Sequence, residues 1–399
     1  MKIQPCNSIY FNNNNLKTTN YNTVSSENNY TTALNIYPNT YYSPRFGATN
    51  IELISKIETA LKANKPQEIM KLFEQMSDKA QQSVKGLVEK FKNNGLTLEK
   101  YLSACIKLPT LFYNLPETIE KNIKDLVKRF EMNGLTLESY LSACLKQPSL
   151  FCSSSYTIEK NVKGLVEKFK NNGLTLEKYL SACVKQPQLF YQSPETIEKN
   201  IKTLVAKFEA NGLTIDNYLS ACIKWPQLFF QSSETIEKNI KALIEKFKNN
   251  GLTLEKYIPA CVKQASLFYQ SPETIGEHIN IIRFSHLNNN KEIDNESFWN
   301  KLLNRPIVLS WSSGSLLTKG LIIPKMFEGK EIPKELKGNM LKQKLEDYLK
   351  AHPKDKYTLN IKNLPNETGC TELLQNHIAK LTEDLKLPKD MFTIKINIG

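Results

Sequence analysis

The sequence predicts an all-α fold: an α-solenoid of tandem 39-residue helix-turn-helix repeats, with a disordered N-terminal tail and a small α/β C-terminal appendage. Three observations predict it. The block Ile197 to Thr235 recurs from Ile119, Ile158 and Ile236, each start 39 residues after the last, and a looser copy begins at Ala80. Within each block the apolar residues fall at helical spacing. Glycine stands at one fixed place in every copy, and proline at another in all but the last. A fixed period of this length marks units that bury their apolar faces only against their neighbours.

Taken in order, residues 1–49 are rich in Asn, Thr, Ser and Tyr, including the run Asn12 to Asn15. They hold too few aliphatic side chains to bury a core and are expected to be disordered. Residues 50–79 switch to helical spacing, with Ile51, Ile54, Ile57 and Leu61, then Ile69, Leu72 and Phe73. These two helices match no copy of the repeat and are expected to cap the array, which spans 80–328.

The unit at Ile197 shows the logic of each repeat. Ser193 and Pro194 form a helix start, and Ile197, Ile201, Leu204, Val205 and Phe208 make one apolar stripe. Gly212 supplies the left-handed stop. Thr214 is the next N-cap, flanked by Leu213 and Tyr218 at the spacing of a hydrophobic staple. The second helix carries Ile215, Tyr218, Leu219, Cys222 and Ile223 on one face and must end before Pro226. Gln227-Leu228-Phe229-Phe230 then predicts a single tight turn that plugs the gap to the next unit.

The fifth copy departs from this pattern. Pro259 replaces the serine of the other copies and is expected to bend its helix, while Ala265 replaces the proline of the plug. A last helix from Ile275 to about Phe284 precedes a polar break at Asn288 to Asn290. Phe298, Leu302 and Leu303 begin a degenerate copy that ends at Pro306. Residues 329–399 form the appendage: Leu341 to Leu349 helical, Tyr357 to Ile361 alternating like a strand, Leu373 to Leu385 helical, and Met391 to Ile398 alternating again.

Composition narrows the function. The net charge is +13, and residues 80–274 contribute 26 basic against 19 acidic side chains. A basic repeat surface points to a polyanion, nucleic acid before anionic membrane. Only Arg45, Arg129, Arg283 and Arg305 among the 53 basic residues are arginine. Since arginine is the usual bidentate reader of guanine, this balance favours phosphate contact over base readout.

Cys105, Cys144, Cys183, Cys222 and Cys261 recur at one repeat position and are expected to be small buried core residues. Helices pack about 8–10 Å apart, too far for these cysteines to pair. Cys6, Cys152 and Cys370 show no metal-ligand spacing. The protein is expected to be intracellular, in a reducing compartment, and cytoplasmic rather than organellar, because residues 1–49 form no basic amphipathic segment. His278, His286, His352 and His377 are scattered, and no phosphate loop or catalytic constellation is present. No enzyme activity, cofactor or metal is expected.

The Pro-x-Leu-Phe plug and the Gly-Leu-Thr helix start resemble the repeat of the mitochondrial transcription termination factor (mTERF) family. They are carried by Gly134, Leu135, Thr136, Pro148, Leu150 and Phe151 in one copy, and by Gly173, Leu174, Thr175, Pro187, Leu189, Phe190, Ser193, Pro194 and Glu195 in the next. Arg305 to Ser312, followed by Ile323-Pro324-Lys325, is similar to the family's closing segment, so the resemblance spans roughly 80–328. It implies a nucleic-acid-binding helical-repeat protein of transcription or RNA metabolism. The copies are more alike here than is usual in that family, and the family's arginines have no evident counterparts.

Candidate residues are those left over from packing. At 100° per residue, Lys178, Ser181 and Lys185 lie opposite the buried stripe of the second helix. The same face elsewhere holds Lys107, Ser142, Lys146, Ser220, Lys224 and Lys263. Lysine and serine at repeated spacing are the residue types that contact phosphate oxygens. A second column, Lys90, Arg129, Lys168, Lys207 and Lys246, flanks the buried face of the first helix, and a third, Lys85, Lys124, Lys163, Lys202 and Lys241, lies on its other flank. The bland alternative is a solvated face where these cations balance the acidic columns Glu99, Glu138, Glu177, Asp216, Glu255 and Glu120, Glu159, Glu198, Glu237. The expected partner is duplex DNA or RNA bound by a monomer. A protein-interaction scaffold is the alternative, and a membrane partner is not expected.

Overall fold

The computed structural model describes residues 48–289, 294–338, 340–363 and 369–398. The expected disordered tail lies outside them except for Ala48 and Thr49, which begin the first helix. Two units divide between Met76 and Ser77. The first holds α1 (Ala48–Lys62) and α2 (Pro66–Phe73), which pack on each other. Pro66 at the start of α2 fits there because a first-turn residue has no intrahelical N–H bond to lose.

In the second unit five helix pairs follow one another: α3 (Asp78–Phe91) and α4 (Leu98–Lys107), α5 (Pro116–Phe130) and α6 (Leu137–Lys146), α7 (Ser155–Phe169) and α8 (Leu176–Lys185), α9 (Pro194–Phe208) and α10 (Ile215–Lys224), α11 (Ser233–Phe247) and α12 (Leu254–Lys263). The first helices stack on one another in sequence, as do the second helices, so the unit is an α-solenoid of two layers. The expected punctuation is in place. A 3₁₀ turn, Glu209–Asn211, ends at Gly212 with φ 87°, and the Leu213 N–H closes back on the Phe208 carbonyl at 3.2 Å. Thr214 accepts from the backbone of Asn217 and Ser193 from that of Thr196.

The aromatic plug is a 3₁₀ turn in every repeat, and its phenylalanine has a specific neighbour. Tyr101, Tyr140, Tyr179 and Tyr218 meet Phe151, Phe190, Phe229 and Phe268 edge-on at 5.2–5.3 Å. The second helix of each repeat therefore rests on the plug of the following one. Such edge-to-face pairs add about 0.5–1.5 kcal/mol each beyond area burial. The five repeat cysteines are fully buried and unpaired beside these tyrosines, the small-core role expected of them.

Pro259 does not shorten its helix. α12 keeps the ten-residue span of its counterparts, and the visible change is that Thr253 makes no side-chain cap bond where the other four threonines do. Ala265 still enters a 3₁₀ turn. α13 (Pro272–Asn288) runs one turn beyond Phe284 and ends at Asn288, where the polar break was expected, and the Asn288 side chain is buried. Its amide donates to the carbonyls of Phe284 and Lys362 and accepts from the Lys362 N–H at 2.7 Å. A polar residue is tolerated inside because its bonding groups are satisfied.

α14 (Asn295–Asn304) and a 3₁₀ turn at Pro306–Ser310 repeat the helix-and-plug pattern once more. α15 (Ser313–Leu317) and α16 (Ile323–Met326) are joined through a π-helical segment, Thr318–Ile322. The appendage follows as α17 (Leu341–Ala351), β1 (Tyr357–Asn363), α18 (Cys370–Asp384) and β2 (Phe392–Ile398), with β1 and β2 parallel and in register from Tyr357–Phe392 to Asn363–Ile398. Its core is continuous with the end of the array: Ile281, Phe284, Leu317 and Leu321 belong to one cluster with Leu345, Leu359 and Leu374.

Candidate nucleic-acid interface

The second helices present their C-terminal halves to solvent. Lys107, Lys146, Lys185, Lys224 and Lys263 end α4, α6, α8, α10 and α12, and all five are exposed. Ser142, Ser181 and Ser220 are exposed one turn earlier on the same face. The stacking of these helices makes the lysines a column. Among the described residues the first four form no ion pair, and Lys263 reaches only the Asn304 side chain at 3.5 Å. A cation at a helix C-terminus also suits the macrodipole.

The acidic residues of these helices sit at the other end. Glu138, Asp216 and Glu255 accept from Asn94, Asn172 and Asn211 of the preceding repeat at 2.8, 2.8 and 3.1 Å. The asparagine amide holds the Glu138 carboxyl below its ordinary pKa. From Glu138 to Lys146 the helix rises about 12 Å, more than the roughly 8 Å Debye length of physiological salt. The carboxylates therefore screen the lysine column weakly. Lys178, also in the candidate set, belongs to the acidic end, where its ammonium donates to the Gly173 carbonyl at 2.9 Å and helps close the preceding turn.

The first-helix cations have other work. Lys90 pairs with Glu120 and Lys168 with Glu198, both at 2.6 Å, and Arg129 and Lys207 pair with Glu159 and Glu237. Each bond crosses from one repeat to the next. The same four carboxylates are also held from within their own helices by Lys124, Lys163, Lys202 and Lys241. Hydrogen bonding to Glu120 raises the Lys90 pKa and bonding to Glu198 raises that of Lys168, while Lys124 and then Lys90 lower that of Glu120. Eight of the ten cations in the two first-helix columns thus form an inter-repeat ladder with the glutamates, while Lys85 donates to the Gln81 side chain at 3.3 Å. Lys246 ends it differently: the place of the fifth glutamate is taken by Gly276, and the ammonium lies 2.8 Å from where a Cβ on that glycine would be.

A further column was missed in the sequence. Lys121, Lys160, Lys199 and Lys238 recur at the repeat period on the first helices, all exposed and without an ion pair among the described residues. The periodicity and the helical-wheel angle that exposed the other columns also contain this one.

Among the described residues no three His, Cys, Asp or Glu side chains cluster as a metal site, and no helix is long and apolar enough to cross a membrane. Fold and surface together define a helical-repeat protein with one uncompensated cationic column on its second-helix layer. The mTERF family model matches residues 23–257, more than half of the chain, and the chain belongs to the mTERF family. The match begins earlier than the sequence resemblance did and stops ahead of the closing segment at Arg305. No curated protein matches the chain. Family membership supports a nucleic-acid-binding helical-repeat protein of transcription or RNA processing.

Proposed function

We propose that the solenoid is a non-enzymatic binder of DNA or RNA that grips the phosphate backbone along its second-helix face. The observation that carries this reading is the contrast between Lys107, Lys146, Lys185 and Lys224, which have no carboxylate partner among the described residues, and Lys168 or Lys207, which are spent on the inter-repeat ladder. Ser142, Ser181 and Ser220 supply neutral donors beside the lysines. Association is driven by counterion release, and the scarcity of arginine gives modest sequence preference. The test is titration of the full chain with duplex DNA, duplex RNA and single-stranded RNA at two salt concentrations. Salt-sensitive binding lost in the triple variant Lys146→Glu, Lys185→Glu, Lys224→Glu supports the reading. Binding to none of the three, or binding indifferent to salt, overturns it.

A protein-interaction scaffold is the second reading. It is favoured by Leu115 and Tyr156, which are 64% and 68% exposed where other repeats carry serine and glutamate.

A further inference from the structure

We propose that a cavity at the junction of the closing helix and the appendage binds a nucleoside monophosphate. The inference does not rest on the nucleic-acid reading of the repeats. The cavity has a volume of about 520 Å³ and is walled by the end of α16, α17 and the start of β1, which places it in the size range of small-molecule sites.

Its chemistry has an anion-binding half and an aromatic half. Lys325 lines it with a side chain only 5% exposed. A desolvated ammonium requires an anion, and the anion it has is the Glu328 carboxylate at 2.6 Å, itself 46% exposed and one helical turn away. That carboxylate can rotate into water and leave the buried ammonium to an incoming phosphate. Lys330, on the rim, is exposed and carries no ion pair among the described residues, so a second ammonium is available to the same phosphate. Lys356, by contrast, is already held by Asp390.

Phe327, Tyr348 and Tyr357 also line the cavity, with Phe327 5.9 Å from the Tyr348 ring and 6.1 Å from that of Tyr357. The Tyr357 hydroxyl donates to exposed Asp355 at 3.0 Å and its ring is buried, so the half-buried rings of Phe327 and Tyr348 supply the apolar surface. Asn360 adds an amide that can both donate to and accept from the edge of a heterocycle. Phosphate alone would use only the lysines. A planar ring joined to a phosphate uses both halves.

The test is calorimetric titration of the full chain with AMP and UMP, with orthophosphate and adenosine as half-ligands. The monophosphates are expected to bind at least about tenfold tighter than either half-ligand, as one retained charge-assisted hydrogen bond implies. Lys330→Glu and Lys325→Met should each weaken them by about tenfold or more. Lys330→Glu alters an exposed side chain, so that arm stands if Lys325→Met does not fold. No heat with either monophosphate, or unchanged affinity in Lys330→Glu, overturns the assignment. A 5′-phosphorylated tetranucleotide distinguishes the two sources of this chemistry: lysine-dependent binding assigns the cavity to a strand end, and its failure beside retained AMP or UMP binding assigns it to the free nucleotide. Both lysines lie off the second-helix column, so loss of the monophosphate leaves polynucleotide binding by the repeats intact.

Discussion

Lys168 in one repeat and Glu198 in the next are bound at 2.6 Å, and Lys202 holds the same carboxylate at 2.8 Å from within its own helix. The relationship recurs in four successive repeats, so it belongs to the stacking of the solenoid. Glu198→Gln is expected to lower the melting temperature by about 1–3 °C, and Lys168→Ala with it by little more, because partly exposed pairs contribute weakly and the two residues share one bond. Lys168 first, and then Lys202, hold the Glu198 carboxyl below its ordinary value. A depressed folded pKa stabilises fully above the unfolded value of about 4.3 and is lost as pH falls through the folded one. The difference between wild type and Glu198→Gln in thermal melts should therefore shrink below about pH 4.3 and vanish at lower pH.

Gly173 has φ 78°, and a Cβ placed there would meet nothing within 4 Å. Replacing it by alanine introduces backbone strain without a clash. Gly173→Ala is expected to cost about 1 kcal/mol in urea denaturation, and a cost near zero would show that the turn relaxes out of the left-handed region.

How much of this was legible follows from where each signal resides. Gly212, Thr214 and Pro226 act on their own backbone within a few residues, so their positions in the sequence located the helix ends of their repeat. The ladder was visible as parallel columns of lysine and glutamate, but Glu198 has a lysine four residues later in its own helix as well as Lys168 thirty residues earlier. Only the register of stacked helices shows that it takes both. The buried role of the Asn288 side chain was hidden for a related reason. Three consecutive asparagines signal a break locally, whereas the group that satisfies Asn288 is the backbone of Lys362, 74 residues away.

The Asn288 side chain binds both the N–H and the carbonyl of Lys362, closing the outer edge of β1 as a neighbouring strand would. Asn288→Leu removes the side-chain partner of both Lys362 backbone groups and is expected to destabilise the appendage by about 1–3 kcal/mol. Hydrogen exchange should reveal this as lost protection at the Lys362 amide while α5 to α10 keep theirs. Unchanged exchange at Lys362 would mean that water replaces the asparagine.

Burial pushes the thiols of Cys144, Cys183, Cys222 and Cys261 above their ordinary range, so at pH 8 they carry almost no thiolate. Pulsed alkylation followed by mass spectrometry should label exposed Cys152 in the native protein and reach the four repeat cysteines only in denaturant. Labelling of one of them under native conditions would identify a repeat that opens locally.

The second-helix column makes a prediction that separates it from the ladder. If Lys146, Lys185 and Lys224 each neutralise one phosphate, replacing any one by alanine should lower the slope of log affinity against log salt by about 0.9 for duplex DNA, or 0.7 for a single strand. The three substitutions should act additively, because each lysine lies in a separate repeat and they form no ion pairs among the described residues. Lys168→Ala and Lys207→Ala should leave the slope unchanged, since their charges are matched by Glu198 and Glu237 within the protein. Lys246→Ala is the informative intermediate. Gly276 stands where the other cations of its column meet a glutamate, and Lys246 forms no ion pair among the described residues, so a reduced slope there would extend the interface onto the first-helix layer at this end of the array, and an unchanged slope would leave Lys246 outside it.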